Sequence, residues 1–322
     1  MKVFQIVEEN MMRKLPIRGK RLPTFYPSAA SCRDEDDPVG TASGIQKETV
    51  HGGCMRAQWF RCAGYSESNP STAYNQYIFA AGNMWEDWLT NQLKEAGVWL
   101  ANSVKFAIEE YYISGEIDIL AKDEDGSPVI IENKTYNASN YQAKKSICGL
   151  AGERPMPKEQ NAMQAALYLT YFSKPENGGV KKVVLTYMDR SCSDPNAYRE
   201  FIITLDPDPN GKTYILVNTT DIKGTPYTYR MPGITIEGIF DRYRELMESL
   251  QASLETPPAP DFMHVYPPEL VELKYEAGEI AKTNYEKWKG NPQKYPLGHY
   301  MCRAYCNYRD LCKSYKDIDG HN

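Results

Sequence analysis

Several features are missing from this sequence, and each absence removes a class of function. No apolar run approaches the roughly 20 residues needed to span a bilayer, so a membrane-spanning role is not expected. The first ten residues, Met1-Lys-Val-Phe-Gln-Ile-Val-Glu-Glu-Asn, show no basic stretch followed by an apolar core. No export signal is read there, and a cytoplasmic location is expected. The phosphate-cradling pattern Gly-x-x-x-x-Gly-Lys-Ser/Thr is absent, so any coupled unwinding of strands falls to a separate protein. There is no internal repeat and no low-complexity tract. Positive charge is not in excess either: 37 Lys+Arg against 42 Asp+Glu give a formal net charge of −5. That argues against a uniformly basic nucleic-acid coat. It does not exclude an enzyme acting on nucleic acid, because catalytic carboxylates enter the sum and their metals do not.

What is present suits a globular protein of one large domain or two: 42% apolar and 25% charged residues over 322 positions. Basic residues cluster locally at Arg13, Lys14, Arg18, Lys20 and Arg21, at Lys144–Lys145 and at Lys181–Lys182. Each cluster could meet a phosphate backbone, although a solvated face is the default reading. Tyrosine is abundant at 24, and aromatics can stack on unpaired bases. Of the eight cysteines, Cys302, Cys306 and Cys312 crowd into eleven residues. Without an export signal disulfides are not expected, and this clustering points to metal rather than redox pairing.

Along the chain, residues 1–53 read as irregular, with Pro16, Pro23, Pro27 and Pro38 and an acidic run over 34–37. A short helix is expected near 25–31, another over 54–64 closed by Gly64, and a long one over 72–96 capped by Ser71 and ended by Gly97. Strands are expected at 104–112, 115–121 and 128–134, then a helix over 156–173, strands at 181–188 and 199–205, and a helix over 234–254 stopped by a proline-rich turn. This order predicts an α/β (α+β) protein, a mixed sheet flanked by helices.

The sequence is organised around residues 115–135. Asp118 lies on one expected strand, and Glu132 and Lys134, two apart on the next, project from one face. Two carboxylates and a lysine converging on one face can hold a divalent cation and stabilise developing negative charge. Taken alone, Glu-x-Lys at a strand end is as easily an edge guard. On the long helix Glu86 follows Gly82 by one turn, where a neighbouring element can approach closely. Gln164 and Tyr168, one turn apart, would ordinarily read as the rim of an amphipathic helix. Three cysteines need a fourth ligand, since zinc and iron–sulfur sites usually take four. Cys54, Cys62, Cys32 and, for zinc, His299 are candidates.

In order, Gly-x-x-x-Glu86, Gly-x-x-Asp118, Glu132-x-Lys134, Gln164-x-x-x-Tyr168 and then clustered cysteines resemble the RecB-like branch of the PD-(D/E)xK nucleases. The nearest resemblance is to iron–sulfur exonucleases of CRISPR-associated and phage type. An upstream Gly53-Cys54-Met-Arg56-Ala-Gln-Trp59 is similar to the family's cysteine ahead of an Arg-x-x-aromatic helix. The likeness covers roughly residues 25–315. Two departures stand out: Glu86 replaces the family's usual histidine, and a glycine-rich insertion before Cys54 adds Cys32.

The resemblance implies a restriction-endonuclease-like fold within a single domain over 1–322, with a catalytic core of about 72–205 and a helical, iron–sulfur part of about 232–316 joined to it through Cys54. It implies Mg²⁺ or Mn²⁺ held by Glu86, Asp118, Glu132 and the backbone carbonyl of Asn133, with Lys134, Gln164 and Tyr168 completing the catalytic set. It implies a [4Fe–4S] cluster on Cys54, Cys302, Cys306 and Cys312 that ties the early helix to the C-terminal tail, structural Zn²⁺ being the alternative. The expected activity is exonucleolytic cleavage of DNA ends or single strands, in phage recombination or repair or in CRISPR spacer processing. A non-cleaving DNA-binding scaffold and a structure-specific endonuclease are the alternatives. Expected partners are DNA, recombination, helicase or CRISPR adaptation proteins, and further copies of the chain.

Overall fold

The computed structural model describes residues 24–36, 50–192, 194 and 197–315. After a single 3₁₀ turn at Pro27–Ala29, two short strands, β1 (Ser31–Arg33) and β2 (Val50–Gly52), pair antiparallel and lead into helix α1 (Met55–Cys62), with Cys54 in the N-cap position. Helix α2 (Ala73–Glu95) follows, capped by Thr72, one residue later than Ser71, the side chain accepting from the N–H of Asn75.

The central sheet has seven strands in sequence order: β3 (Trp99–Ile108), β4 (Ile113–Lys122), β5 (Pro128–Tyr136), β6 (Val183–Asp189), β7 (Arg199–Pro207), β8 (Thr213–Thr220) and β9 (Pro226–Thr235). Every neighbouring pair is antiparallel except β5 and β6, which run parallel. A parallel pair needs a crossover, here supplied by helices α3 (Tyr141–Cys148) and α4 (Glu159–Phe172). Strands β8 and β9 carry the sheet past residue 205, and α3 had no counterpart among the expected elements. β3 begins five residues before its expected start at 104, and a 3₁₀ turn at Glu109–Tyr111 takes over its expected end.

The apolar run of β5 explains its central place, because a strand covered on both faces needs no alternation. Val129 and Ile131 join Leu89 and Leu93 of α2, whereas Ile130 belongs to the larger cluster that includes α4 and the inner faces of β6 to β8. α4 buries almost its whole middle, from Ala162 to Leu169. Helix α5 (Ile236–Ala252), capped by Thr235, covers the far end of the same face. Beyond it, helices α6 (Pro268–Glu276) and α7 (Lys282–Gly290) close a small cluster of Val271, Tyr285, Trp288 and Leu297. A single wide turn at Met301–Tyr305 and helix α8 (Arg309–Ser314) bring the late cysteines back to α1.

Candidate active site

The site arises where β4 and β5 part. Their ladder runs from Lys122–Pro128 to Ile119–Ile131 and stops. Beyond it β4 stays with β3, and β5 pairs with β6 from Ile130 to Tyr136. Asp118 and Glu132 are the first residues past the split, so backbone groups freed there need other partners. The N–H of Asn133 donates to Asp118 Oδ2 at 2.9 Å, and the Glu116 carbonyl accepts from the Tyr168 hydroxyl at 3.2 Å. In an extended strand the N–H and C=O of one residue point to the same edge. The Asn133 carbonyl therefore faces the same gap, while its side chain accepts from Thr186 Oγ1 at 2.9 Å.

Glu132 is fully buried. Its Oε1 accepts from Lys134 Nζ at 2.5 Å, and its Oε2 is buried with no hydrogen-bond partner among the described residues. Burial, with repulsion from Asp118, pushes its pKa up to about 7 against the pull of Lys134. Glu86, half-buried on α2, is likewise raised to about 7 by burial and then by Asp118 and Asp87. Burial also raises Asp118, against Lys134 and the Asn133 N–H. For Lys134, burial alone would lower the pKa, but Glu132 and Asp118 more than offset it, and the ammonium holds its proton. Glu86 and Glu132, each raised by burial and by Asp118, leave the gap short of positive charge beside the orphaned oxygen of Glu132, and hard oxygen donors suit Mg²⁺ or Mn²⁺.

From the other side, Gln164 Nε2 donates to the Tyr168 hydroxyl at 2.5 Å. Both side chains are buried, not on a solvated rim. The charges of Glu132 and Asp118, added to burial, push the Tyr168 hydroxyl far up, so it remains a donor. One expectation fails: a Cβ on Gly82 would meet only Thr135 Oγ1, at 4.0 Å, so nothing packs closely there and the glycine is not a contact requirement. Gly115 is one, since a Cβ would come within 3.1 Å of Pro27 and 3.2 Å of Phe106.

A second constellation lies at the start of α1. A cavity of about 300 Å³ is lined by Cys54, Cys302, Cys306 and Cys312 together. Burial raises the Cys54 thiol well above its ordinary value, and burial followed by Cys306 and Cys312 pushes Cys302 up to about 12. Four thiols that share one cavity could hold a cation as thiolates, the cation taking the place of their protons. Arg56, buried at 3% exposure, donates through Nη1 to Cys312 Sγ at 3.7 Å and through Nε to the Pro258 carbonyl at 2.5 Å. Asp261 accepts from Arg242 Nη2 and, through its other oxygen, from the Met55 N–H, both at 2.5 Å, joining α5 to the start of α1. Cys32 lies elsewhere, with Sγ 3.9 Å from the carbonyls of Gly233 and Thr235. His299 stacks on Phe262 with centroids 4.0 Å apart. Among the described residues, no three His, Cys, Asp or Glu side chains stand gathered about one ion. In the sheet gap the reason is visible: Glu132 is turned onto Lys134 and Asp118 onto Asn133.

Lys144, Lys145 and Lys182 pair with Asp194, Glu153 and Asp123, so three of those four lysines serve local ion pairing. The cluster from Arg13 to Arg21 lies outside the described residues. Sequence reasoning passed over Asp261, which nothing in its local pattern marks. It also passed over Tyr187, whose hydroxyl accepts from the Lys158 N–H at 2.9 Å and from Asn161 Nδ2 at 2.7 Å. No helix of the described residues is long and apolar enough to cross a membrane.

A family model described as the PD-(D/E)XK nuclease superfamily matches residues 53–313. No curated protein matches the chain. One solved structure, described as the crystal structure of SSO0001, is similar over 97% of this chain and 96% of its own, at 14% identity. Its TM-score of 0.39 is too low to bear on the reading.

Proposed function

The chain belongs to the PD-(D/E)XK nuclease superfamily, and from that premise we propose that it is a divalent-metal-dependent DNA exonuclease acting on ends or single strands. The observation that carries this reading is the gap between β4 and β5, where Glu132 keeps an unpartnered oxygen beside Lys134 and where Asp118 raises both Glu132 and the α2 residue Glu86. Those three carboxylates and the Asn133 carbonyl would hold Mg²⁺ or Mn²⁺. When bound, the cation supplies an acidified water and neutralises charge on the scissile phosphate.

The remaining work falls to this chain's own side chains. Lys134, kept protonated by Glu132 and Asp118, places a positive charge where the phosphate oxygens gain charge during attack. Gln164 and Tyr168 offer donors from the buried face of α4 to orient the backbone of the strand. Tyr187 fixes the start of α4 through the Lys158 N–H, and so fixes where those donors stand.

We also propose a [4Fe–4S] cluster on Cys54, Cys302, Cys306 and Cys312, supported by their shared cavity and by Arg56 donating to Cys312. A zinc ion held by the same four thiolates is the alternative. The cluster's role is structural: it would hold α1 against a segment about 250 positions later and so restrict the unfolded chain strongly. A cytoplasmic setting in phage recombination, repair or CRISPR spacer processing fits this activity.

The test is digestion of 5′- and 3′-labelled single- and double-stranded DNA with Mg²⁺ or Mn²⁺. Stepwise shortening from an end supports the exonuclease. Cleavage of covalently closed single-stranded circles would replace it with an endonuclease, and binding without cutting would replace it with a scaffold.

A further inference from the structure

Charge is distributed unevenly along this chain. Between positions 282 and 313 there are seven Lys and Arg and two acids, Glu286 and Asp310, a local sum of +5. The whole chain carries −5, so the rest of it carries −10. Lys282, Lys287, Lys289, Lys294, Arg303 and Lys313 are all exposed, and none has a carboxylate within ion-pair distance among the described residues. Glu286 lies four residues after Lys282 and three before Lys289, and Asp310 lies three before Lys313, spacings at which helix charges can pair, yet none of these three lysines closes an ion pair among the described residues. The small cluster under α7 uses only Tyr285 and Trp288 from that helix.

Exposed rings lie within the same stretch. Tyr295 is 40% exposed with Lys294 Nζ 5.3 Å from its centroid, Tyr300 is 62% exposed and Tyr305 68%. The last two meet edge to face at 6.1 Å. Rings left this open bury less apolar area than a core tyrosine and present faces to solvent beside cations that have no ion pair among the described residues.

This stretch also meets the start of α4, the helix that carries Gln164 and Tyr168. Tyr300 and His299 feel the charge of Glu159 in the first turn of α4, and that charge is met by His51 Nδ1 at 3.0 Å. Gln160, the next residue, lines the cavity together with Tyr305. Gln164 and Tyr168 follow on the same helix, so about 12 Å separates Gln160 from Tyr168 along its axis. A strand of a few nucleotides spans that distance.

We propose that residues 282–313 form a landing surface for an unpaired DNA strand, with the lysines taking phosphates and the open tyrosines stacking bases, next to the start of the helix that carries Gln164 and Tyr168. Cations beside aromatic faces are the combination that holds single strands without reading sequence. A duplex, with its bases stacked inside, would gain from the lysines and not from the tyrosines.

The inference takes the identity of its ligand from the nuclease reading, so two readouts are needed. The first is binding of a labelled unpaired strand of about 20 nucleotides to full-length protein in chelator, for wild type, for Lys287→Gln/Lys289→Gln/Lys294→Gln and for Tyr300→Ala. The expected results are about tenfold weaker binding for each variant and, for the triple variant, a salt dependence shallower by about 2 in log–log slope. Tyr300→Ala should leave duplex binding as in wild type. The second is the ratio of kcat/KM on that strand to kcat/KM on one of about 4 nucleotides, expected to fall about tenfold in the triple variant. Wild-type binding and an unchanged ratio, in variants with wild-type circular dichroism, overturn the surface. Absence of cleavage by wild type overturns the nuclease reading and leaves the binding readout to judge the surface alone.

Discussion

Replacing Glu132 with Gln interrogates the centre of the site through stability rather than through catalysis. In the folded chain, burial and Asp118 hold this carboxyl at about 7 instead of its ordinary 4.5. In the unfolded chain it loses its proton near the ordinary value. Between those two points the folded, metal-free protein binds more protons than the unfolded one, so stability falls as pH rises through that window. Above it the cost is complete. The interval from 4.5 to about 7 corresponds to about 3 kcal/mol. Glutamine keeps the shape and cannot titrate. It also deprives Lys134 of one partner, but Lys134 stays charged throughout, so that loss is an offset independent of pH. The assay is urea unfolding in chelator, followed by tryptophan fluorescence, from about pH 5 to about pH 8. The variant should gain on wild type by up to about 3 kcal/mol across that range. Parallel stability curves for the two proteins would refute a buried, mutually repelling carboxylate set.

The remaining predictions concern the groups around that centre. Mn²⁺ at about a hundred times its dissociation constant should stabilise wild type by about 2.7 kcal/mol, and the same concentration should leave the thermal midpoint of Glu132→Gln nearly unmoved. Asp261→Ala removes one of two carboxylates on Arg242, which is 4% exposed and keeps Glu245 at 2.9 Å, and should cost about 1–3 kcal/mol in a urea melt. It also frees the Met55 N–H beside Cys54, so the purified variant should retain less iron. Iron and acid-labile sulfide measured after anaerobic purification should fall in Cys54→Ser and persist in Cys32→Ala, and stoichiometric zinc without iron in wild type would replace the cluster by a zinc site.

Much of this was legible in the sequence where one residue type had to do one thing. Val129-Ile130-Ile131 announced a strand covered on both faces, and its polar continuation at Glu132 marked the site, although the cover extends over Glu132 and ends only at Asn133. The period of four in Gln164 and Tyr168 correctly put them on one helix face, yet periodicity could not tell a buried face from a solvated rim. Gly82 shows the converse limit. A sequence reveals a missing Cβ and not the distance to the next element, and here that distance is ordinary. The split between β4 and β5 could not be read at all, because it depends on β5 exchanging one neighbour for another halfway along its length. Strands β8 and β9 were missed although Ile215, Val217 and Thr219 alternate inward on β8. Short helices α6 and α7, set among prolines and glycines, offered too few turns for a helical period to stand out.

The central claim is that Lys134 stands with Glu86, Asp118 and Glu132 at a site that hydrolyses phosphodiester bonds. Digestion of end-labelled DNA in Mg²⁺ or Mn²⁺ by wild type and by Lys134→Ala, purified side by side with matched circular dichroism and iron content, tests it most directly. The account predicts cleavage by wild type that stops in chelator, and a loss of at least about a hundredfold in the variant. Full activity of Lys134→Ala would contradict it.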